Sequence, residues 1–574
     1  MKGNGGRMHV AKIERRHGDR VYTSHLVRRS VREGKRVRHE TIANVSKLPA
    51  EAIEALRRAL RGEAVLAPGE RPAIENPLPA GHVEAALAMV RRLELSRLLD
   101  RRPSKERDLV LAMVVQRILD PGSKLQMAGA FQRSTLAGEL GLEGADQDDL
   151  YRAMDWLLAR QGRIEERLAR RHLRDGELVL YDVSSTYFEG RSCPLAQLGY
   201  SRDGKRGTPQ IVFGLLCDRR GRPVAVEVFR GSLHDDKTLP TQLEKLRRRF
   251  RLKRIVVVSD RGMVTRANLE AMRDAAGVAW ITALKAPQVQ RLRKRELIQP
   301  SLFDQQNLAE IIDEEEYPGE RLVVCRNPLV AAERARKREA LLQATERELS
   351  EIERRVERGT LRGEADIGLA AGAVWNRYRV KKHFELEITD TGFSFSRRQR
   401  QIEQEAALDG IYVLRTSVPD TQLDPPEVVR SYKQLKQVER SFRTIKGPLE
   451  LRPIHHRLED RVRAHVFLCT LAYYLEWHLR EAWAELTFKD ECPPVHPDPV
   501  GKAARSPQAE RKARTKRTTA GEPCHSFRGL IAELARRTQN TVRIPGSDAA
   551  FSQLSEPNTL QQRALELVRT AEIA

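Results

Sequence analysis

"LVLYDVSSTYF", residues 178–188, is an apolar stretch that carries one carboxylate, Asp182, near its middle. Its β-branched and aromatic residues predict a strand. A second stretch, "RIVVVSD" (254–260), is continuously apolar until Asp260, a pattern typical of a strand buried on both faces. Because a buried carboxylate is costly unless it is paired or bound to a metal, the two aspartates indicate a site rather than ordinary packing.

Further strands and helices are predicted around these two stretches. Over residues 177–285 the order is strand, hairpin, helix, strand, helix, strand, and another buried strand is predicted at 410–418. This order predicts a mixed α/β sheet with helices packed on it. Residues 286–408 interrupt the pattern with a long charged helix at 331–359 and two strand-like runs, so an α+β insertion is expected there.

The flanking regions differ from the sheet in composition. Short cationic β-like runs open the chain and are followed by a helix at 49–61, a Pro- and Gly-rich stretch and several amphipathic helices. Near the other end, 499–521 is polar, cationic and Pro-containing, which predicts disorder. The predicted domains are a basic β-rich module (1–62), a linker (63–81), a helical domain (82–176), a sheet core in two parts (177–285 and 409–490), the insertion (286–408) and a basic, partly disordered C-terminal region (491–574).

The charge balance indicates a polyanionic partner. The 574 residues include 102 Lys and Arg against 79 Asp and Glu, a net charge of +23. Such a balance suggests nucleic acid, although charge alone also fits a merely soluble basic protein. Aromatic residues make up only 5% of the chain, which disfavours a single-strand binder that stacks bases. Contact of Lys and Arg with a duplex backbone fits better.

The cysteines and apolar segments favour a reduced, non-membrane setting. Six cysteines are scattered without C-x-x-C spacing, which argues against a zinc ribbon and a disulfide framework. The first twenty residues lack the apolar core of a signal peptide. The most apolar stretch, 464–479, is too short and too polar at its ends for a membrane span and is predicted to be a buried helix. We therefore expect a cytoplasmic protein.

A third carboxylate stands in an unusual context. The stretch "YKQLKQVERSFRTIKG" (432–447) predicts a helix with one acid, Glu439, among five cations. At about 100° per residue, Tyr432, Leu435, Glu439 and Lys446 fall on one helix face. The acid either balances charge or serves as a metal ligand beside a phosphate-binding cation. With Asp182 and Asp260 it would complete a carboxylate site of the kind that Mg²⁺ prefers.

Together these motifs resemble the DDE transposases of bacterial insertion sequences, in the IS-four-like group. "YDVSSTYFEG" (181–190) is similar to the family's first-Asp strand, and "VVSDRGM" (257–263) is similar to its second. The family signature Y-x2-R-x3-E-x6-K is matched by Tyr432, Glu439 and Lys446, whereas Leu435 stands where the family has Arg. The resemblance covers about 80–485, including "LRPIHHRLEDRVRAHVFLCTLAYYL" after the glutamate.

The resemblance implies a fold and a site. The core is expected to be RNase H-like, with a long insertion before the helix that bears the glutamate. Mg²⁺, for which Mn²⁺ may substitute in the family, is expected to be the cofactor. Arg440 or Arg443 would replace the missing cation at Leu435, and Arg261 would contact DNA or form a salt bridge. The expected catalytic and metal-binding residues are Asp182, Asp260 and Glu439, and the expected DNA-binding residues are Tyr432, Lys446, Arg443, Arg440 and Arg261.

The resemblance also implies a function. The protein would bind terminal inverted repeats through its N-terminal module and helical domain. It would cleave the DNA ends and join them to target DNA by two-metal-ion hydrolysis and strand transfer. Its partners would be double-stranded DNA and a second copy of the chain in a synaptic complex, in a nucleoid-associated location.

Two other functions stay open, and so do simpler roles for the acids. The chain could be a metal-dependent RNase H-like nuclease without strand transfer, or a catalytically silent DNA-binding protein. Asp182 could be paired with an arginine, and Asp260 could be the N-cap of the helix that follows it.

Overall fold

The computed structural model describes residues 8–33, 36–62, 71–544 and 550–573. These residues form two compact units. The first unit draws its described residues from Met1–Val83, Arg133–Thr135 and Ala532–Gln562, and the second from Glu84–Gln132, Leu136–Ile531 and Arg563–Ala574.

The secondary structure alternates in the way the sequence pattern predicts. The strands are β1 (Met8–His17), β2 (Arg20–Glu33), β3 (Arg36–Asn44), β4 (Ala73–Pro79), β5 (Leu178–Tyr187), β6 (Gln210–Asp218), β7 (Pro223–Arg230), β8 (Ile255–Ser259), β9 (Val278–Ala283), β10 (Leu308–Ile311), β11 (Arg321–Arg326), β12 (Phe384–Ile388), β13 (Phe393–Arg397), β14 (Ile411–Thr416), β15 (Thr538–Arg543) and β16 (Ala550–Leu554). The helices are α1 (Ala50–Leu60), α2 (Gly81–Arg92), α3 (Leu95–Leu99), α4 (Lys105–Leu119), α5 (Lys124–Phe131), α6 (Leu136–Leu140), α7 (Gln147–Leu158), α8 (Gln161–His172), α9 (Leu239–Glu244), α10 (Arg266–Asp274), α11 (Ala286–Lys294), α12 (Pro328–Glu357), α13 (Glu364–Tyr378), α14 (Gln399–Ala406), α15 (Pro425–Lys433), α16 (Leu435–Lys446), α17 (Glu459–Ala482), α18 (Pro507–Thr515), α19 (Phe527–Ala535) and α20 (Thr559–Thr570).

The first unit contains two small antiparallel sheets. Strands β1, β2 and β3 form one of them, followed by α1, so the predicted β-like runs and the helix predicted at 49–61 are confirmed. The turn between β1 and β2 contains Gly18 at φ +60°, a left-handed conformation that glycine adopts without steric cost.

Part of the predicted linker is a strand. Residues 63–70 lie outside the described residues, whereas Ala73–Pro79 form β4, which pairs with β15. Strand β4 is at the edge of the sheet β16–β15–β4, where a strand can contain proline without losing a ladder hydrogen bond. The Pro-rich composition predicted a linker. The strand could not be recognised locally, because its pairing partner lies more than 450 residues away in the sequence.

The helices predicted between 82 and 176 are confirmed as α2 to α8. Three of them begin at a side chain that accepts a hydrogen bond from the first turn: Ser104 for α4, Ser123 for α5 and Asp146 for α7. Helix α4 is buried from Leu109 to Ile118, so it forms the centre of this helical region.

A mixed eight-stranded sheet dominates the second unit and confirms the predicted α/β class. Its order is β10–β11–β14–β9–β8–β5–β6–β7. Strands β5, β6 and β7 are antiparallel, and β8 and β9 continue the sheet in parallel with β5. Strand β6 is buried along its whole length, as the continuous apolar run "QIVFGLLCD" requires.

The region predicted as an insertion has two kinds of structure. Strands β10 and β11 join the main sheet through β14. Beyond them, α12, α13 and the hairpin β12–β13 surround a separate hydrophobic cluster that includes Leu342, Leu349, Ile367 and Phe384. The long charged helix predicted at 331–359 is confirmed as α12, and it packs one apolar side on this cluster.

The prediction of disorder at 499–521 was wrong. This stretch contains α18, whose first turn is capped by Ser506. Lys512 is only 1% exposed, donates to the Ala484 carbonyl at 2.9 Å and pairs with Glu491. A basic composition indicated solvent exposure, but a tertiary contact buries this lysine.

The apolar stretch at 464–479 lies in α17, where nearly every residue is buried, so the predicted core helix is confirmed. Within the part of the chain that the structure describes, no helix is both long enough and apolar enough to cross a bilayer.

Candidate functional site

Two neighbouring parallel strands place the two aspartates together. In the register of β5 and β8, Tyr181 is opposite Ser259. Asp182 follows Tyr181 within β5, and Asp260 follows Ser259 directly after β8 ends. The two carboxylates therefore occupy the same level on adjacent strands.

A helix packed on β5 supplies the third carboxylate. Helix α16 contacts β5, and its Glu439 lines a cavity of about 550 Å³ together with Asp182 and Asp260. The same three residues also line a neighbouring cavity of about 410 Å³. The apolar side of α16, including Val438 and Phe442, is buried, so its polar side is directed to the cavities.

Burial and the two neighbouring carboxylates act on the ionisation of Asp182. Burial raises the pKa of Asp182 to about 7, opposed by a hydrogen bond from the Val183 N–H and reinforced by the charges of Asp260 and Glu439. Asp182 forms no salt bridge with an arginine among the described residues, which removes the simplest structural explanation for a buried acid. The charge of Arg202 favours the ionised form but does not offset the effect of burial.

Asp260 is not the N-cap of the following helix. The N-cap of α10 is Thr265, whose hydroxyl accepts from the Asn268 N–H at 3.3 Å. The Asp260 carboxylate instead accepts from the Arg261 N–H at 2.8 Å and from the Tyr432 hydroxyl at 3.4 Å. It is exposed, and therefore accessible from the cavity.

The carboxylates fit a divalent cation in chemistry. Among residues 8–33, 36–62, 71–544 and 550–573, no three His, Cys, Asp or Glu side chains are drawn together as a metal site. Three carboxylates on one cavity wall are nevertheless the oxygen ligands that Mg²⁺ and Mn²⁺ favour. Burial, and to a smaller extent the charges of Asp260 and Glu439, raises the pKa of Asp182, and a bound cation would favour its ionised form.

The stretch 432–447 is two helices, not one. Helix α15 ends at Lys433 and α16 begins at Leu435, with Gln434 between them. Tyr432 therefore does not share a continuous helix face with Glu439, although both line the 410 Å³ cavity. Burial, followed by the charge of Asp260, raises the pKa of Tyr432, so its hydroxyl stays protonated as a donor.

Lys446 is held inside the 550 Å³ cavity. Its ammonium donates to Ser184 Oγ at 3.0 Å and to Asp203 Oδ1 at 2.8 Å. Asp203 is 3% exposed at its side chain and also pairs with Arg452 at 2.6 Å. The cation expected to contact DNA is thus balanced by an internal acid in this structure.

The three arginines named from the sequence lie in different places. Arg443 is exposed and lines the 550 Å³ cavity. Arg440 is exposed near Tyr473 and Lys489 and is not among the residues that line either carboxylate cavity. Arg261 is exposed beside Asp260 and forms no salt bridge with any described residue. Leu435, at the family's arginine position, is 8% exposed.

Sequence reasoning missed four charged residues of the cavity. Asp203 and Arg452 form the ion pair described above, and Arg202 pairs with Asp235. The charged, Gly-containing loop "SRDGKRG" (201–207) between β5 and β6 is the signal that would have pointed to Arg202 and Asp203.

Comparison with known families agrees with this geometry. The family model described as "Transposase DDE domain" matches residues 175–475, more than half of the chain. The chain belongs to this family. Residues 10–70 also match "IS1634 family transposase, N-terminal domain". The resemblance to insertion-sequence DDE transposases is confirmed, and the protein is an enzyme that cleaves DNA and transfers strands.

Other comparisons add little. No curated protein matches the chain. Among solved structures, the piggyBac transposase synaptic complex with hairpin DNA, determined by cryo-EM, is similar at 10% identity and a TM-score of 0.33. The match covers 79% of this chain and 76% of that chain. A likeness at this level adds no argument about fold or function.

Proposed function

We propose that Asp182, Asp260 and Glu439 are the catalytic carboxylates of this transposase and that they hold Mg²⁺, with Mn²⁺ able to substitute. The observation that carries the proposal is that three carboxylates from β5, the end of β8 and α16 line one cavity within the transposase DDE domain. A mixed sheet with two of the acids on adjacent strands, crossed by a helix that bears the third, also supports the RNase H-like class.

The remaining polar residues would bind and orient DNA phosphates. Arg443 and Lys446 line the same cavity as the carboxylates, so a phosphodiester entering it meets both cations. Arg261, exposed beside Asp260, is placed to contact the same strand. Tyr432 would hold the Asp260 carboxylate through its hydroxyl. Arg443 is a better substitute than Arg440 for the arginine that Leu435 replaces, because Arg440 lies away from the carboxylates.

The chemistry proposed is in-line displacement at a phosphodiester. Bound divalent cations would supply Lewis acidity and make a hydroxyl group a stronger nucleophile, in the two-metal manner. Burial disfavours the ionised form of Asp182, and a bound cation would restore it. The same carboxylates would serve hydrolysis at the element end and then joining of its 3′-hydroxyl to target DNA.

Recognition and assembly follow as further parts of the proposal. The basic β-rich module and the helices between 82 and 176 would recognise the terminal inverted repeats. Holding two ends together would require two copies of the chain, and the transposase would act in the cytoplasm on nucleoid DNA.

A strand-transfer assay separates this function from the two alternatives. A labelled duplex with the terminal sequence of the element is incubated with a supercoiled plasmid and Mg²⁺. Joining of the cleaved 3′ end to the plasmid is expected. Products that are cut but never joined would favour a nuclease, and salt-dependent binding without any nicking would favour a silent DNA-binding protein.

A further inference from the structure

A second cavity, of about 330 Å³, adjoins the catalytic one. Arg452 lines both. The walls of the second cavity come from Arg117 of α4, the first turn of α5 with Lys124, and the segment that follows α16. We call it the cationic cavity.

Two buried cations line the cationic cavity, and neither forms an ion pair with a described carboxylate, although Glu450 also lines this cavity. Arg117 is 2% exposed and Lys124 is 4% exposed. Arg117 Nη1 reaches only the Glu450 backbone carbonyl, at 3.5 Å, and its Nε has no hydrogen-bond partner. Lys124 forms neither a hydrogen bond nor an ion pair with any residue that the structure describes. Burying an unpaired cation is costly, so these two side chains favour the binding of an anion in the cavity.

The α5 terminus adds to the positive potential. Ser123 and Gln126 form a capping box at the start of this eight-residue helix. The box provides acceptors for the N–H groups of Ser123 and Gln126, so it is the helix dipole that favours negative charge at this end. The start of α5 and the two buried cations therefore both make the electrostatic potential in the cationic cavity more positive.

The neighbouring titratable groups respond to the same uncompensated charge. Burial and the charge of Arg117 lower the pKa of Lys124 to about 7. Burial, Lys124, Arg461 and Arg117 lower the pKa of His456 to about 3. Burial, Lys124 and Arg117 also lower the pKa of His465 well below its ordinary value. Burial is the largest cause of each shift, and an anion in the cavity would oppose the smaller part that the charges of Arg117 and Lys124 contribute.

We propose that the cationic cavity is a second phosphate-binding site, which takes a DNA backbone phosphate near the scissile one. This inference rests on the proposed function of the catalytic cavity. Because Arg452 lines both cavities, a strand with its scissile phosphate at the carboxylates would place a neighbouring phosphate within reach of the cationic cavity. Arg117 and Lys124 would be binding residues, separate from the carboxylates that perform the chemistry.

A methylphosphonate scan tests the assignment. Each phosphate around the cleaved bond of a terminal-sequence duplex is replaced in turn by a neutral methylphosphonate, and affinity is measured for the full-length wild type and Lys124→Met. One position is expected to weaken wild-type binding by about tenfold or more, the size of a lost charged hydrogen bond. Lys124→Met should bind the native duplex with a similar loss and should be insensitive at that position only.

Matched variants guard against a folding defect. Lys337→Met removes an exposed lysine of α12 that pairs with Glu333 and is expected to keep the full wild-type scan. Lys124→Arg keeps the charge and should retain sensitivity at the same position. If Lys124→Met does not fold, Arg117→Gln replaces it in the scan.

The outcomes are distinct. A variant that stays as sensitive as wild type at every position overturns the proposal. A different result would be that no DNA position is singled out, while inorganic phosphate stabilises wild type, but not the variant, more than chloride does at equal ionic strength. This result would assign the cavity to free phosphate and overturn the DNA assignment. Cleavage of the same duplex by wild type with Mg²⁺ tests the proposed function separately, because it does not depend on the scan.

Discussion

Tyr181 and Ser259 are register partners in the parallel pair β5–β8, and this single pairing brings Asp182 and Asp260 to the same level of the sheet. Asp182 directly follows Tyr181 in the sequence, and Asp260 directly follows Ser259. Glu439 then reaches the pair from α16, so that three acids distant in the sequence line one cavity.

Asp182 makes stability depend on pH when no divalent ion is bound. Its pKa is raised from the ordinary 3.8 to about 7 by burial, partly offset by the Val183 N–H and increased by Asp260 and Glu439. Between these values the folded state keeps a proton that the unfolded chain has released, so the free energy of unfolding falls as pH rises. Asp182→Asn is expected to remove this fall. Above pH 7 its free energy of unfolding should exceed that of wild type by roughly 2–4 kcal/mol. Urea unfolding in the presence of EDTA measures the free energy of unfolding at each pH. Identical pH profiles for wild type and Asp182→Asn would contradict the prediction.

Divalent ions are expected to reverse that penalty. Mg²⁺ should raise the Tm of wild type at pH 8 more than NaCl of equal ionic strength, because a ligand that binds only the folded state stabilises it. Asp182→Asn should lose this specific rise. Glu270→Gln, which removes an exposed helix acid paired with Arg266, should keep it. An equal Mg²⁺ response in all three proteins would count against a metal site at Asp182.

Asp203 is expected to restrain DNA binding. Its single carboxylate pairs with both Lys446 and Arg452 at the edge of the 550 Å³ cavity. Asp203→Asn should release these cations for phosphates, tighten binding to duplex DNA at low salt and steepen the salt dependence of log K by about 1 to 2. The free protein should lose stability because the buried pairs are broken. Unchanged salt dependence would show that the two cations do not reach DNA.

Arg443 and Arg440 form a matched pair on α16. Arg443 lines the catalytic cavity, whereas Arg440 is exposed near Lys489. Arg443→Ala is expected to weaken binding to end DNA and to reduce the salt slope by about 1, and Arg440→Ala to change neither. Titration with labelled duplex across a salt series measures both. The reverse ranking would mean that Arg440 takes the place of the arginine missing at Leu435.

The carboxylates were predictable because their local context is unusual. An aspartate inside an apolar strand, or at the end of a β-branched run, conflicts with the preference of strands for apolar residues, and at Asp182 and Asp260 the conflict marks the site. Glu439 was recognisable because it is the one acid in a helix rich in cations. The sheet class and most helices followed from hydrophobic periodicity.

The features that were not predicted depend on distant contacts. Strand β4 forms because β15 pairs with it, and Lys512 is buried by α17 and its flank. The break at Gln434 lies within a stretch whose periodicity suits one continuous helix. The Asp203–Arg452 pair joins a loop to a segment about 250 residues away, which no local pattern records.

Metal-dependent cleavage by Glu439→Gln tests the central claim most directly. Wild type, Glu439→Gln and the control Glu270→Gln are compared on a labelled duplex with the terminal sequence of the element and Mg²⁺, at protein concentrations that saturate binding. Glu439→Gln is expected to bind this duplex but to cut it at least about a hundredfold more slowly, while Glu270→Gln cuts like wild type. Cleavage by Glu439→Gln at the wild-type rate would contradict the assignment of the three carboxylates as the catalytic site.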